Sequence, residues 1–216
     1  MTDFSLLRLA AIAATFLVAG LVKGVTGMGL PTVAMGILGG LISPLAAAGL
    51  LIVPSFVTNV WQLLAGPAFS QIVQRLWPMM LAIVVGTIAG SRFIVTGNTR
   101  LITSALGAAL IIYAGYTLFA HQLHIPRRLQ LWLSPLLGAI TGVVSGATGV
   151  FVIPAVPYIQ ALGFQKDDLI QALGLSFTVS TIAIAAGLAW HGALQIDNLA
   201  VSSVGVIPAL LGMWAG

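Results

Sequence analysis

The sequence contains no cysteine and no glutamate, and only 6% of its residues carry charge. Without cysteine there can be no disulfide framework, zinc-thiolate site or thiol nucleophile. A soluble domain carries about 25% charged residues, and so small a complement could not cover its surface. An ordinary soluble enzyme, a disordered chain and a nucleic-acid binder are all excluded. The net charge of +4 comes from residues scattered through loops rather than from a basic patch. No metal site and no cofactor are expected, and no nucleic-acid partner.

What the chain does have is apolar length. Hydrophobic residues make up 59% of the 216, and the mean hydropathy is +1.12. As continuous helix the chain would stretch about 324 Å, room for about eight bilayer crossings of roughly 20 residues each. Residues 24–74, 129–165, 169–196 and 198–216 contain no charge at all. Such runs read as spanning helices and the turns between them. They lack the alternation of barrel strands. The apolar segment 4–22 has no convincing cleavage site and belongs to the mature first element.

Charges, prolines and turn residues divide the rest. A glycine-dense break is expected at 23–29, followed by a second apolar half at 30–42. Helices are expected at 45–66, kinked at Pro54, and at 78–95 and 101–120, with loops at 71–77 and 96–100. The longest polar connection, 121–130, is the natural midpoint. Beyond it come 131–145, a break at 146–149, an apolar half at 150–162, a loop at 164–168, a helix at 169–190, a loop at 191–198 and a last apolar stretch at 199–216. Trp61, Trp77, Trp132 and Trp190 fall near helix ends, where an interfacial belt would place them.

This is one pattern written twice. A shift of 122 residues places Gly20, Gly24 and Gly27 on Gly142, Gly146 and Gly149. Shifts of 125 and 126 bring Ala48-Gly49-Leu50 near Leu173-Gly174-Leu175, and Gly86 and Gly90 onto Gly212 and Gly216. The expected fold is therefore an all-α polytopic membrane protein. It has two related halves of about four helices, 1–120 and 131–216, joined by 121–130, each opening with a glycine-broken helix. The first half continues past Gly90 through an arginine-bearing loop into one more helix. By analogy the natural chain is expected to continue past Gly216. Inverted halves and parallel halves both remain open, because three arginines against two do not orient the chain.

KGVTGMG at 23–29, GVVSGATGVFVIP at 142–154, and a GxxxG ahead of an arginine-bearing loop together resemble the TauE/SafE family of sulfite exporters and 4-toluenesulfonate-type permeases. The resemblance covers essentially the whole chain. It implies about eight helices in two related halves of four, and a secondary transporter or exporter of small sulfur-containing anions, the sulfite or organosulfonate class. Two departures bear on the substrate site. The second block reads GATGVFVIP where the family usually has two or three glycines close together before the proline, and Thr32 stands where a proline would match Pro154.

The residues point the same way on chemical grounds. Non-helical backbone survives at membrane depth only when buried in protein or lining a wet cavity. Paired broken helices are how repeat-built transporters present amide groups to an anion. The candidate site comprises Lys23, Gly24, Thr26, Gly27 and Gly29 at the first break, and Ser145, Gly146, Thr148 and Gly149 at the second. Asn59 and Gln62 form a polar stripe on an otherwise apolar helix. No acidic residue occurs between 4 and 166, so a cation carrier is disfavoured. Small-residue packing is the competing account of the glycines, and snorkelling to a helix end that of Lys23. For the serines and threonines at 176–181 the simpler account is hydrogen bonding between helices or back to their own helix. The expected partners are a small anionic solute and the lipid bilayer, with a homo-oligomer an option. The default location is the cell membrane, a bacterial inner membrane. The alternatives are a structural or assembly subunit without transport, and an intramembrane hydrolase pairing Ser176 or Ser145 with His191. No enzymatic activity is expected.

Overall fold

A computed structural model describes residues 6–119, 124–194 and 201–216. They form the helices α1 (Leu6–Thr26), α2 (Leu30–Leu41), α3 (Pro44–Leu64), α4 (Phe69–Thr96), α5 (Thr99–Phe119), α6 (Arg127–Thr148), α7 (Ala155–Gln160), α8 (Lys166–Trp190) and α9 (Val206–Ala215). Six of them, α1, α3, α4, α5, α6 and α8, are long and apolar enough to cross a membrane. Among the described residues there is no strand. The protein is an all-helical, multi-pass membrane protein.

Lipid gives apolar helices no reason to exchange one greasy neighbour for another, so close backbone packing must supply the attraction. Glycines supply it along two seams. In the first, Gly20 of α1 lies against the backbone of Ala209, and Gly24 against Met213 and Gly216. In the second, Gly138 of α6 meets the backbone of Met79, Gly142 that of Ile83 and Thr87, and Gly146 that of Thr87 and Ser91. Numbers rise together along both seams, so α1 runs parallel to α9, and α4 to α6. The central pair is different. Gln171 of α8 bonds Leu63 and Gly66, Gln62 of α3 bonds Ile170, and Asn59 bonds Thr181. Here the numbers run oppositely, so α3 and α8 are antiparallel.

α3 also shows how this protein tolerates proline. Pro54 has no N–H to give to the carbonyl of Leu50. The hydroxyl of Ser202 donates to that carbonyl at 2.7 Å and accepts from the N–H of Val53 at 3.2 Å. The freed backbone group is thus satisfied from a distant segment, as the bilayer requires.

The structure changes several expected boundaries. Residues 71–77 are not a loop; they are the first turns of α4, which runs on through Pro78. Arg75 explains this, because its guanidinium reaches Gln130 at 3.1 Å and the carbonyl of Leu162 at 2.9 Å at the end of the bundle. Helix persists through Gly24 and Gly146, so the breaks begin only at Gly27 and Gly149. Of the expected connection 121–130, residues 121–123 lie outside the described residues, and α6 already begins at Arg127. Part of the expected loop 191–198 lies outside them too. The 30–42 stretch, expected as the second apolar half of the first broken element, forms only a 12-residue helix, too short to cross by itself.

The seams generate a stability prediction. A Cβ added at Gly142 would sit 2.7 Å from the amide nitrogen of Thr87, whereas one at Gly107 would meet nothing within 4 Å. Gly142→Ala should destabilise the protein by about 1–3 kcal/mol, and Gly107→Ala should change it by less than about 1 kcal/mol. Thermal unfolding in detergent measures both. Equal midpoints would show that the α4–α6 contact does not depend on backbone proximity.

Candidate functional site

The two breaks share one local chemistry. α1 ends at Thr26, and Gly27 and Gly29 follow with φ of 72° and 107°. That left-handed region penalises any residue with a Cβ. The Thr26 hydroxyl donates to the carbonyls of Val22 at 2.8 Å and Met28 at 2.7 Å, and accepts from the N–H of Met28 at 3.3 Å. At the other break, Gly149 has a φ of 74°. The Thr148 hydroxyl donates to the carbonyl of Val144 at 2.7 Å and accepts from the N–H of Val150 at 3.3 Å. Each threonine therefore serves the exposed backbone of its own break.

One helical turn before the first break stands Lys23. Its side chain is only 1% exposed, so it does not snorkel to an interface. Its ammonium turns inward to α3, donating to Oδ1 of Asn59 and, at 3.3 Å, to Oγ1 of Thr58. Both acceptors are uncharged. Nδ2 of Asn59 in turn donates to Oγ1 of Thr181 on α8 at 3.4 Å. A buried cation held only by neutral groups is costly, several kcal/mol per ion after relaxation, and a bound anion would offset that cost.

Gln62, one turn further along α3, joins the break to α8. Its Nε2 donates to the carbonyls of Gly27 and Ile170, both at 2.7 Å. Its Oε1 is buried without a partner. Beside it opens a cavity of about 330 Å³ whose wall includes Lys23, Thr26, Gly27, Gln62 and Lys166. Two cationic side chains thus border one cavity, and among the described residues no carboxylate is in its lining.

The structure brings only part of the expected set together. Lys23, Gly24, Thr26, Gly27 and Gln62 share the cavity wall, and Asn59 stands behind them through its bond to Lys23. Gly29 faces a second cavity of about 670 Å³, which Thr26 also borders. The second break is occupied elsewhere. Gly146 is part of the α4–α6 seam, and Gly149 faces the side chain of Met35 on α2. The Ser145 hydroxyl donates to the carbonyls of Thr141 at 2.6 Å and Val150 at 3.2 Å. Thr178 and Thr181 bond back to their own helix at 2.7 Å. The imidazole of His191 bonds the carbonyl of Gly187, and the Ser176 hydroxyl has no partner. Among the described residues no cluster of side chains could hold a metal ion.

Sequence reasoning missed Lys166 and Gln171. The sequence places Lys166 in the loop 164–168, yet it begins α8. A lysine in a first helical turn opposes the helix dipole, and that was the available signal. Gln171 lies in a charge-free run. Its Nε2 donates to the carbonyls of Leu63 and Gly66 at 2.7 Å, and its Oε1 accepts from the N–H of Ala68 at 3.0 Å.

Over residues 12–216 the chain matches the family described as Sulfite exporter TauE/SafE. No individual curated protein and no solved structure matches it.

If Gln62 holds the first break, Gln62→Leu should leave the carbonyl of Gly27 without a donor and cut the link to Ile170, at about 1–3 kcal/mol. The thermal midpoint should fall, and amide exchange at Met28 should quicken. Unchanged exchange at Met28 would mean that the break holds its shape without the glutamine.

Proposed function

Because this chain belongs to the sulfite exporter TauE/SafE family of membrane transporters, we propose that it carries small sulfur-containing anions across the cell membrane, with the anion's charge met by Lys23. Sulfite is the first candidate. The observation that carries this reading is the buried ammonium of Lys23, bonded only to neutral Asn59 and Thr58, on a cavity that also borders Lys166. Gln62 shapes the same wall rather than binding the anion, since both hydrogens of its amide are committed to the carbonyls of Gly27 and Ile170. One buried lysine with amides around it suits an ion that must also leave, since transport requires affinity modest enough for release. A cluster of buried arginines would hold it too long.

The two halves act in this reading as inverted repeats. The antiparallel run of α3 against α8 supports it, since these helices occupy matching places in the two halves. So does the exchange of seams, in which α1 pairs with α9 and α6 with α4. Conduction then alternates between one cavity at the first break and another that opens at the second, where Met35 now packs on Gly149. A purely structural subunit would have no use for a buried lysine beside a cavity, and that reading is not preferred.

The test is sulfite flux in liposomes reconstituted with purified protein. Lys23→Met, which keeps the length of the side chain, should reduce flux at least about tenfold, the equivalent of about 1.4 kcal/mol. Lys166→Gln should reduce it less, because that residue is exposed and more strongly screened. Wild-type flux through Lys23→Met, in protein with an unchanged thermal midpoint, would overturn the assignment.

A further inference from the structure

Three helices bring a hydroxyl without a partner to one level of the bundle. Asn59 of α3 bonds Thr181 of α8 at 3.4 Å, which fixes that level on the central antiparallel pair. Ser180 directly precedes Thr181, and Ser55 stands one turn from Asn59 along the same side of α3. The short turn 65–68 sets α4 antiparallel to α3, and hence parallel to α8. On α4, Thr87 lies one turn before Ser91, whose hydroxyl oxygen is 2.5 Å from where a Cβ on Gly187 of α8 would sit. Thr87 is therefore level with the turn of α8 that follows Thr181. Ser55, Thr87 and Ser180 are each 0% exposed, and the hydroxyl of each is buried without a hydrogen bond.

A hydroxyl on a helix can avoid this by turning back to the carbonyl one turn earlier. The neighbours do so. Thr58 donates to the carbonyl of Pro54 at 2.8 Å, and Thr178 and Thr181 to those of Gly174 and Phe177 at 2.7 Å. Ser55 and Ser180 make no such bond. A buried hydroxyl left unpaired is costly, and lipid offers it no replacement. Their place in the bundle indicates what repays the cost. The first cavity opens beside Lys166, at the start of α8, and extends to Lys23. Neither cavity wall includes Ser55 or Ser180. From Lys23, the bonds through Asn59 to Thr181 lead directly to their level. α3 carries no charged residue, and α8 none beyond Asp168. The shift of 125 residues that places Gly49 on Gly174 also places Ser55 on Ser180, so each half supplies one of these serines from a matching position.

We propose that Ser55 and Ser180 form a second, uncharged station for the anion, which takes it from Lys23 toward the far end of the bundle. The inference rests on the Lys23 reading above, because Lys23 delivers the ion. Hydroxyls donate to an oxyanion without the grip of a full charge, which suits a step that must release it. The two stations divide the work. Lys23 draws the anion in, and the serines replace part of its water where no cation stands. Both lie near the middle of their helices, so the station serves passage rather than entry.

The experiment uses the full chain in liposomes. The protein has no cysteine of its own, so Ser55→Cys and Ser180→Cys each introduce a single thiol. Each thiol is treated with an anionic and a cationic methanethiosulfonate reagent of similar size, and the rates are divided by those of a free thiol. The anionic reagent should react at least about tenfold faster than the cationic one, and adding Lys23→Met should remove most of that preference. Ser55→Ala with Ser180→Ala should lower maximal sulfite flux at least about tenfold, while the sulfite-induced rise in thermal midpoint, which reports binding at Lys23, persists. Ser180→Thr, which keeps the hydroxyl, should retain flux. Each variant is first matched to wild type by thermal midpoint. Wild-type flux through the double alanine variant would overturn the station and leave Lys23 standing, as would thiols that neither reagent reaches in protein that transports. Preference for the cationic reagent would overturn it in favour of a cation held by hydroxyl oxygens. Sulfite flux that is indifferent to Lys23 would instead remove the reading on which the station is built.

Discussion

A peptide group inside a bilayer has no water to bond, and every departure from regular helix must bring its own partner. This constraint organises the protein. At the first break the partners are Thr26 and Gln62; at the second, Thr148 and Ser145. At Pro54 of α3 the partner is Ser202, and where the chain turns from α3 toward α4 it is Gln171. Two glutamines on facing helices thus take on the backbone that the glycines and the turn leave open. Because each reaches across the α3–α8 contact, satisfying the backbone also locks the central pair in register.

The same economy leaves the lysine conspicuous. Nearly every buried hydroxyl at the breaks is committed to a nearby carbonyl, so local hydrogen bonding accounts for it. Lys23 is different in kind, since amide and hydroxyl oxygens give an ammonium only dipoles where a full charge is needed. Gln62 belongs to both systems at once. Its amide nitrogen holds the break in shape, and the residue itself forms part of the cavity wall. A ligand there would therefore act directly on the residue that maintains the break.

The sequence was most legible where composition and spacing carry the physics. Charge-free runs marked the membrane helices. The glycine string led to the two stretches where helix stops, although Gly24 and Gly146 proved to serve packing and only Gly27, Gly29 and Gly149 serve the break itself. Spacing cannot separate these roles, because a glycine in a seam and a glycine at positive φ look identical in one dimension. Residues 71–77 were misread because Gln71, Gln74 and Arg75 look like a loop, and Pro78 like a boundary. In three dimensions they are the end of a helix anchored by Arg75. Lys23, Asn59 and Gln62 were visible as polar residues in apolar surroundings, but their convergence was not, since it depends on how α1 and α3 pack. Lys166 offered less, and the second cavity offered nothing before the chain was folded.

The exchange of seams has a consequence for how the protein is made. The glycine face of α1 is closed by α9, and these segments stand near opposite ends of the described chain. A ribosome adding about 5–20 residues per second reaches α9 on the order of 10–40 s after completing α1. During that interval the first helix has left the ribosome with its small-residue groove open to lipid or to any passing helix. Insertion and assembly are thereby separated in time, and α1 waits in the membrane for a partner that has not yet been made.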